Sequence, residues 1–394
     1  MRSKAEKRTV IGPETQLDII LAVHGEKKEG RELDTATITL RDHWFTEKEQ
    51  VLVESGMLKA TLFRYDSGVD AVKLANELGY IIVLPYKGQQ IWNAFFHGRY
   101  LNMETMYHQP KDADFFLNTY GCFLMHCGPL RMGCPGPEDD HPLHGDLPVA
   151  VYDEAALVVG EDEQGSYMGV TGLFDYNRAF GEKYQARPLV KLYGGSSLVD
   201  IHMEIENRSH YPMELMYMSH VNFRPVEYGR IVQSVDWSKD CMKVRTAIPD
   251  HVEASPGFID FLAKLEDNPK LTEVIRPDDE YDPEIAFFIE SPKVDSHGWS
   301  HYMQVHPDRS ADYIRYKPEE LDHNTRWISR TADQAGLGLA LPATCDPEGY
   351  TAEKSKGNIK EIPPRTSVSF SVVAGYLNGA EASEMERQIA DLDA

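Results

Sequence analysis

The sequence predicts a large, mainly β protein built from antiparallel sheets, and three observations support that prediction. Short runs rich in aromatic and β-branched residues recur between clusters of Gly, Pro, Asn and Asp, as at 56–65, 80–85, 197–207 and 366–374. Helical patterns are few. The chain has no glycine-rich dinucleotide or P-loop fingerprint and no Gly-x-Ser-x-Gly nucleophile turn. Many strands with few helices favour an antiparallel fold over a doubly wound parallel sheet.

The run 197–207 is the strongest single strand prediction. Apolar and polar residues alternate over most of it, which is the period of a half-buried strand. The apolar members are Leu198, Ile201, Met203 and Ile205. A polar turn at 208–212 and a second apolar run at 213–218 follow. The two runs together predict a β-hairpin.

Three segments predict helices. Ser67 is a candidate N-cap for 68–78, where apolar residues fall on helical spacing before a terminating glycine. The segment 255–267 has proline in its first turn, and 381–392 has the pattern of a polar terminal helix.

Chain length and composition bound the organisation of the protein. The 394 residues suffice for one large all-β domain or for several average ones. The chain shows no internal repeat, low-complexity tract or interdomain linker. We therefore expect a single domain over residues 1–394, in which residues 1–70 form an N-terminal extension of the β structure.

The charge balance excludes several classes of partner. Forty Lys and Arg against 63 Asp and Glu give a formal net charge of −23, which repels nucleic acids and anionic membranes. No apolar run approaches a membrane span, and the basic N-terminus lacks the apolar part of a secretory signal. We expect a cytoplasmic protein with a small-molecule partner, and a homodimer is the default assembly for an enzyme of this size.

The five cysteines predict reduced, structural thiols. Their number is odd, and Cys127 and Cys134 have no Cys-x-x-Cys neighbour, so a zinc knuckle has little support.

Two histidine-bearing segments carry the chemical signal. The segment 121–148 is dense in Gly and Pro, which indicates an irregular loop, and contains His126, His141 and His144. In the second segment, 213–226, polar residues around His220 interrupt an apolar strand. Such histidines are compatible with a hydrogen-bonded structural role, a metal site or general acid/base catalysis. None of them forms a His-x-His, His-x-x-x-His or His-Glu-x-x-His pair, so we expect no metal and no cofactor.

The order of these motifs resembles the aldose 1-epimerase (galactose mutarotase-like) family. Leu143-His144-Gly145 ends a glycine-rich loop, and His220-Val221-Asn222-Phe223 ends a strand. Further on, 327–349 is similar to the penultimate strand of that family, and 362–365 to its following turn. The resemblance spans roughly residues 79–376, and the order of the motifs carries more weight than any one of them.

The resemblance implies a supersandwich of twisted antiparallel sheets with a concave sugar-binding face. It also implies acid/base opening and reclosure of a sugar ring. In such enzymes a carboxylate takes the proton of the anomeric hydroxyl while a histidine protonates the ring oxygen. By residue matching, His220 is the expected general acid, and His144 is expected to contact a sugar hydroxyl or the ring oxygen.

Five further residues are candidate substrate-binding groups. Lys87 lies where the family has an Arg-Gly-x-x-Ile turn, although a solvated turn lysine fits the pattern equally well. Asn222 follows His220, and Asp146 follows the His144 loop. Arg315 and Trp327 are expected on the same face, since an indole suits the apolar face of a sugar. For Trp327, packing in the core is the alternative.

One departure from the family pattern concerns the base. Relatives carry Glu directly before Pro on the penultimate strand, whereas this chain has Leu341 before Pro342. Leucine cannot accept a proton. Either another carboxylate serves, with Asp146, Asp346 and Glu348 nearby in sequence, or the activity is not ordinary mutarotation. The alternatives are a non-catalytic sugar-binding protein and a metal-dependent sugar isomerase or lyase on the same scaffold.

Overall fold

Two large antiparallel β-sheets packed face to face dominate the computed structural model, which describes residues 21–28, 31–248 and 254–392. The strands are β1 (Leu21–Lys28), β2 (Arg31–Thr39), β3 (Gln50–Ser55), β4 (Leu58–Arg64), β5 (Asp70–Ala75), β6 (Gly79–Val83), β7 (Ile91–Phe96), β8 (Arg99–Tyr100), β9 (Leu124–Cys127), β10 (Glu154–Asp162), β11 (Gly165–Asn177), β12 (Lys183–Tyr193), β13 (Leu198–Asn207), β14 (Met213–Leu215), β15 (Met218–Val221), β16 (Arg230–Gln233), β17 (Met242–Val244), β18 (Ile285–Ile289), β19 (Ser300–Val305), β20 (Ala311–Tyr316), β21 (His323–Arg330), β22 (Ala335–Ala343), β23 (Lys360–Ile362) and β24 (Ser367–Leu377). The α-helices are α1 (Pro256–Asp267), α2 (Tyr350–Lys356) and α3 (Gly379–Asp391).

The first sheet has ten strands in the order β1-β2-β10-β11-β12-β13-β24-β20-β19-β16. The second has twelve, in the order β17-β18-β21-β22-β15-β9-β7-β6-β5-β4-β3, with β8 added beside β7. A separate pair joins β14 to β23. The named strands pair antiparallel throughout, which confirms the predicted fold class.

The main hydrophobic core lies between the two sheets. Along β13 the side chains alternate between buried and half-buried, and Val199, Ile201 and Met203 point into the core. The ring of Tyr217 stacks on that of Phe370 of β24, with centroids 4.8 Å apart, and so links the two sheets. Burial of this apolar surface is the principal force that holds the sheets together.

A second apolar cluster covers the opposite face of the twelve-stranded sheet. Its strand members include Met125 and Met218, and its loop members include Phe116, Tyr120 and Met132. We call this side of the twelve-stranded sheet the site face, because the predicted histidines lie on it. The loops 101–120 and 128–150 pack over it.

Two of the three predicted helices are confirmed. Ser255 caps α1 by accepting a hydrogen bond from the backbone N–H of Phe258. Asn378 and Glu381 form a capping box at the start of α3. The helix predicted over 68–78 is wrong, because that segment forms β5.

The reason for this error lies in the neighbouring strands. Strand β5 pairs with β4 on one side and β6 on the other, so its backbone groups are satisfied by a ladder that local sequence does not reveal. Gly68, with φ of +88°, belongs to the tight turn that joins β4 to β5. The apolar residues of this segment belong to a strand that is covered on both faces, in which Ala71, Val72 and Leu74 are buried.

The predicted hairpin is also wrong in its pairing, although strand β13 itself is confirmed. β13 pairs with β12 and β24. The run 213–218 divides into β14, which pairs with β23, and the start of β15, which enters the other sheet beside β9 and β22. The segment after β13 therefore crosses between sheets. The Asn207 amide holds this crossing by donating to the carbonyls of Tyr211 and Ile362.

Two global expectations can be compared with the structure. All five cysteines are free thiols. No helix in the described ranges is long and apolar enough to cross a membrane.

Candidate functional site

His220 is presented by β15 near the middle of the twelve-stranded sheet. It pairs with Met125 of β9 across the ladder. Because side chains alternate along a strand, Met218 and His220 point to the site face while Val221 points to the main core. The imidazole is 4% exposed, so the surrounding loops nearly enclose it.

His144 reaches the same place from the glycine-rich loop. Its backbone has a positive φ of +60°, with its N–H bonded to the Gly133 carbonyl and its carbonyl accepting from Gly128 N–H. Gly145, at φ of +79°, must be glycine, since a Cβ there would lie 2.1 Å from the Arg131 carbonyl oxygen. These contacts tie the loop to the end of β9. The His144 and His220 rings then stand 5.5 Å apart and nearly perpendicular.

Five rings form one group on the site face, which we call the aromatic cluster: Phe116, Tyr120, His144, His220 and Trp327. Ring centroids are separated by 5.3 Å for Phe116 and Tyr120, and by 5.5 Å for Phe116 and His144. The Trp327 indole lies 5.8 Å from the His220 ring and 6.5 Å from Tyr120. Trp327 therefore lies beside the predicted pair of histidines, together with two aromatic residues that sequence reasoning missed.

Strand β22 makes room for the Trp327 indole. A Cβ at Gly336 would lie 2.5 Å from Cζ3 of Trp327, so the ring rests on a position without a side chain. The pairing between β21 and β22 shifts between Thr325 and Trp327, because β22 has one extra residue there.

Trp327 connects the cluster to a carboxylate. Its Nε1–H donates to Glu284 Oε2 at 2.7 Å. Glu284 directly precedes β18, and its Oε1 lies 3.5 Å from Nη1 of Arg245. The Glu284 side chain is 40% exposed, so it is accessible to solvent. Neither Glu284 nor Arg245 carries a motif that could have identified it in the sequence.

Asn222 is committed to internal hydrogen bonds. The Tyr120 hydroxyl donates to its Oδ1 at 3.0 Å, and its Nδ2 donates to the Cys122 carbonyl at 3.2 Å. The side chain is fully buried. Its role in the structure is to orient Tyr120 against the cluster.

Leu341 occupies the position beside His220. Met218 pairs with Ala343, and continuing this antiparallel register places Leu341 opposite His220. Leu341 belongs to the apolar cluster of the site face and is 2% exposed. The place of the family's base is therefore filled by a packed hydrocarbon side chain.

Both histidines of the cluster are neutral near pH 7. Burial lowers the pKa of His144 to about 4 and holds the pKa of His220 well below its ordinary value. The Nδ1 atom of each ring is buried without a hydrogen-bond partner among the described residues. A neutral imidazole offers one N–H donor and one lone pair, so the pair can donate and accept hydrogen bonds at a bound ligand, and either ring must take up a proton before it can act as a general acid.

The other predicted residues lie elsewhere. Lys87 is buried and its Nζ bonds Asp112 at 2.7 Å, whereas Asp146 is exposed and burial of its surroundings raises its pKa. In the described part of the chain, neither has a hydrogen bond or ring contact with the aromatic cluster. Arg315 is a correction: it lies on β20 of the ten-stranded sheet, with its guanidinium over the Trp299 ring. Motif order along the chain does not reveal which sheet a strand joins.

Two of the acidic residues considered as replacement bases, Asp346 and Glu348, already form ion pairs. Asp346, Glu348 and Glu353 form the one group with metal-site spacing in the described residues. Lys356 Nζ lies 3.3 Å from Asp346 and 2.7 Å from Glu353, and it also contacts Glu348. This ammonium group supplies the positive charge that a metal ion would otherwise bring. His144 and His220 have no third ligand residue that would complete a metal site in the described residues.

The fold and site define a two-sheet β-sandwich with a histidine–aromatic site on one outer face. Comparison with solved structures identifies the fold as galactose mutarotase-like. A protein named "putative aldose 1-epimerase" from Klebsiella pneumoniae superposes with a TM-score of 0.75 at 15% identity, covering 91% of this chain and 96% of that one. Galactose 1-epimerase from Lactobacillus acidophilus gives 0.51 at 12% identity, covering 92% and 99%. A galactose mutarotase-like protein from Clostridium acetobutylicum gives 0.51 at 15%, covering 81% and 98%.

Comparison with protein-family models covers a shorter part of the chain than the comparison of structures. The family model described as a domain of unknown function, DUF4432, matches residues 66–227. This range contains His144 and His220 and ends before Trp327 and Glu284. No curated protein matches the sequence.

Proposed function

We propose that this protein binds a free sugar on the site face and catalyses opening and reclosure of the sugar ring, as an isomerase of the aldose 1-epimerase type. One observation carries the proposal: two neutral histidines meet inside an aromatic cluster, each with an unpaired buried Nδ1. Sugars present apolar C–H faces that pack on aromatic rings and hydroxyl edges that bond to imidazoles.

His220 is the proposed general acid and His144 the proposed contact to a hydroxyl or the ring oxygen. Ring opening requires a proton to leave the anomeric hydroxyl while another reaches the ring oxygen as the C1–O bond breaks. A positioned imidazole accelerates such a transfer by roughly 10²–10⁴-fold. His220 is nearly enclosed by its neighbours, which hold the proton donor in place.

An uncharged sugar suits the site better than a phosphorylated one. Within the described residues, no Lys or Arg contacts a ring of the aromatic cluster, and the chain carries a formal net charge of −23. A phosphate would bring a dianion to this surface without a paired cation.

Sugar binding without turnover is the second candidate function. It is favoured by Leu341, which lies opposite His220 where a base would be needed. The two candidates differ in whether a bound sugar exchanges anomers faster than it does in buffer.

Exchange-transfer NMR on a panel of aldoses, ketoses and sugar acids separates the two. For a mutarotase-type enzyme, the wild type accelerates anomer exchange of at least one sugar, and His220→Gln lowers that rate by about 10²–10⁴-fold. His297→Gln, at an exposed histidine before β19, is the matched control and should keep the wild-type rate. Binding with no accelerated exchange would establish the second candidate instead.

A further inference from the structure

We propose that Glu284 is the general base of this site, taking the role that Leu341 cannot perform. The inference rests on the proposed ring-opening function and names the residue that accepts the anomeric proton. Glu284 is the carboxylate that contacts the aromatic cluster in the described residues, through its hydrogen bond from Trp327.

Trp327 contacts both the proposed acid and the proposed base. The centroids of the Trp327 and His220 rings are 5.8 Å apart, and the indole Nε1 is 2.7 Å from Glu284 Oε2. His220 and Glu284 thus neighbour the same indole. A sugar bound against that indole would lie close to both residues.

The hydrogen bonds of Glu284 leave it able to react. One carboxylate oxygen accepts from Trp327, while Oε1 is 3.5 Å from the Arg245 guanidinium, beyond direct hydrogen-bond distance. The side chain is also accessible, unlike the apolar side chain at 341.

Competing carboxylates are less suitable. Asp346 and Glu348 are held by Lys356, and Glu214 accepts from Arg131, Tyr350 and Lys354. Asp146 is exposed and has no hydrogen bond that aims its carboxylate at the cluster. Among the carboxylates of the described residues, Glu284 is the one that combines contact with the cluster and exposure.

The proposed step is balanced without a co-reactant. The Glu284 carboxylate accepts the proton of the anomeric hydroxyl, its oxygen lone pair forms the C=O bond, and the bond between C1 and the ring oxygen breaks. His220, which must first take up a proton to form the imidazolium, delivers an N–H proton to that ring oxygen and becomes neutral imidazole, giving the open-chain aldehyde. Rotation about C1–C2 and the reverse transfers close the ring as the other anomer and restore both residues.

Glu284→Gln tests the inference, with Glu290→Gln at the opposite end of β18 as the matched control. Glutamine keeps an oxygen that can accept from Trp327, so the indole stays in place while the base is lost. We expect kcat for anomer exchange to fall by about 10²–10⁴-fold with KM changed only a few-fold. Glu290 forms a surface pair with Lys243, and its variant should match wild type.

The outcomes separate this inference from the function on which it rests. If the wild type exchanges a sugar and Glu284→Gln is as fast as the control, Glu284 is not the base, although the proposed function stands. A rise in KM with an unchanged kcat would also overturn the inference, since it would assign Glu284 to sugar binding alone. If no sugar is exchanged by wild type, the proposed function fails and the base has no reaction to serve.

Discussion

The contact between Gly336 and Trp327 offers a direct test of how the site is built. Gly336→Ala places a Cβ 2.5 Å from Cζ3 and 2.7 Å from Cη2 of the indole. Ordinary contacts require about 3.4–4 Å, so the ring must move by roughly 1 Å. Such a shift stretches the bond to Glu284 from 2.7 Å to beyond hydrogen-bond distance.

The expected cost follows from that lost bond. A hydrogen bond to a charged group contributes about 1.5–3 kcal/mol to stability. Replacing Gly by Ala offsets about 0.4–1 kcal/mol of that loss, because alanine lowers the conformational entropy of the unfolded chain. The free energy of unfolding should therefore fall by about 1–2 kcal/mol. Gly195→Ala is the control, because a Cβ there meets nothing within 4 Å and its backbone has no positive φ. That variant should be neutral or slightly stabilising.

Urea unfolding measures the free-energy change, and tryptophan emission reports the indole environment. Comparing each spectrum with that of Trp327→Phe isolates the contribution of residue 327 from the four other tryptophans. If Gly336→Ala and Gly195→Ala have the same stability and the same Trp327 emission, the indole does not rest on β22. The inference that Trp327 holds Glu284 close to His220 would then lose its geometric basis.

Two further predictions concern buried charge. Burial lowers the pKa of His126 to about 3, so the unfolded chain binds a proton below pH 6.5 that the folded chain does not. Stability is then complete above pH 6.5 and falls with decreasing pH, by about 2 kcal/mol from His126 alone between pH 6.5 and 5. Urea midpoints measured against pH should show a shallower fall in His126→Gln, and an equal fall would contradict the assignment. Second, Lys356→Met leaves three carboxylates, of which Glu353 is fully buried, without their ammonium partner. Because the Lys356 side chain is 37% exposed and solvent screens its ion pairs, the free energy of unfolding should fall by about 1–2 kcal/mol. Lys354→Met, at an exposed neighbour, should change thermal unfolding little; equal effects would show that the Lys356 cluster is a solvated surface.

The positions of strands and helix ends were easier to predict from the sequence than the pairing partners of the strands. Helices α1 and α3 carry capping residues, which act within one turn and can be recognised locally. Pairing partners depend on residues far along the chain. Strand β13 shows this, since its alternation was recognised while its partner β24 begins 160 residues after β13 ends. For β5, two long-range ladders overrode a helical pattern.

The site was predictable to a similar extent. His144 and His220 stand out because each is a polar residue in a context that otherwise predicts a glycine-rich loop or an apolar strand. Trp327 followed from the value of an indole in sugar binding. Tyr120 and Glu284 had no such signal, because each precedes a strand in an irregular segment where polar and acidic residues are ordinary. Their importance comes from hydrogen bonds to Asn222 and Trp327, which only the folded chain brings into contact.

The strand order also determines what happens when the chain is divided into two fragments. β15 lies between β9 and β22, and β13 between β12 and β24, so the first 227 residues cannot complete either sheet. A fragment ending there would leave one edge of β13 and one edge of β15 unpaired, and each edge could pair with a strand of another chain. The two halves should therefore associate when coexpressed, with the histidines on one piece and Trp327 and Glu284 on the other. The proposed acid and the proposed base would then lie on different fragments, so each can be varied without changing the fragment that carries the other.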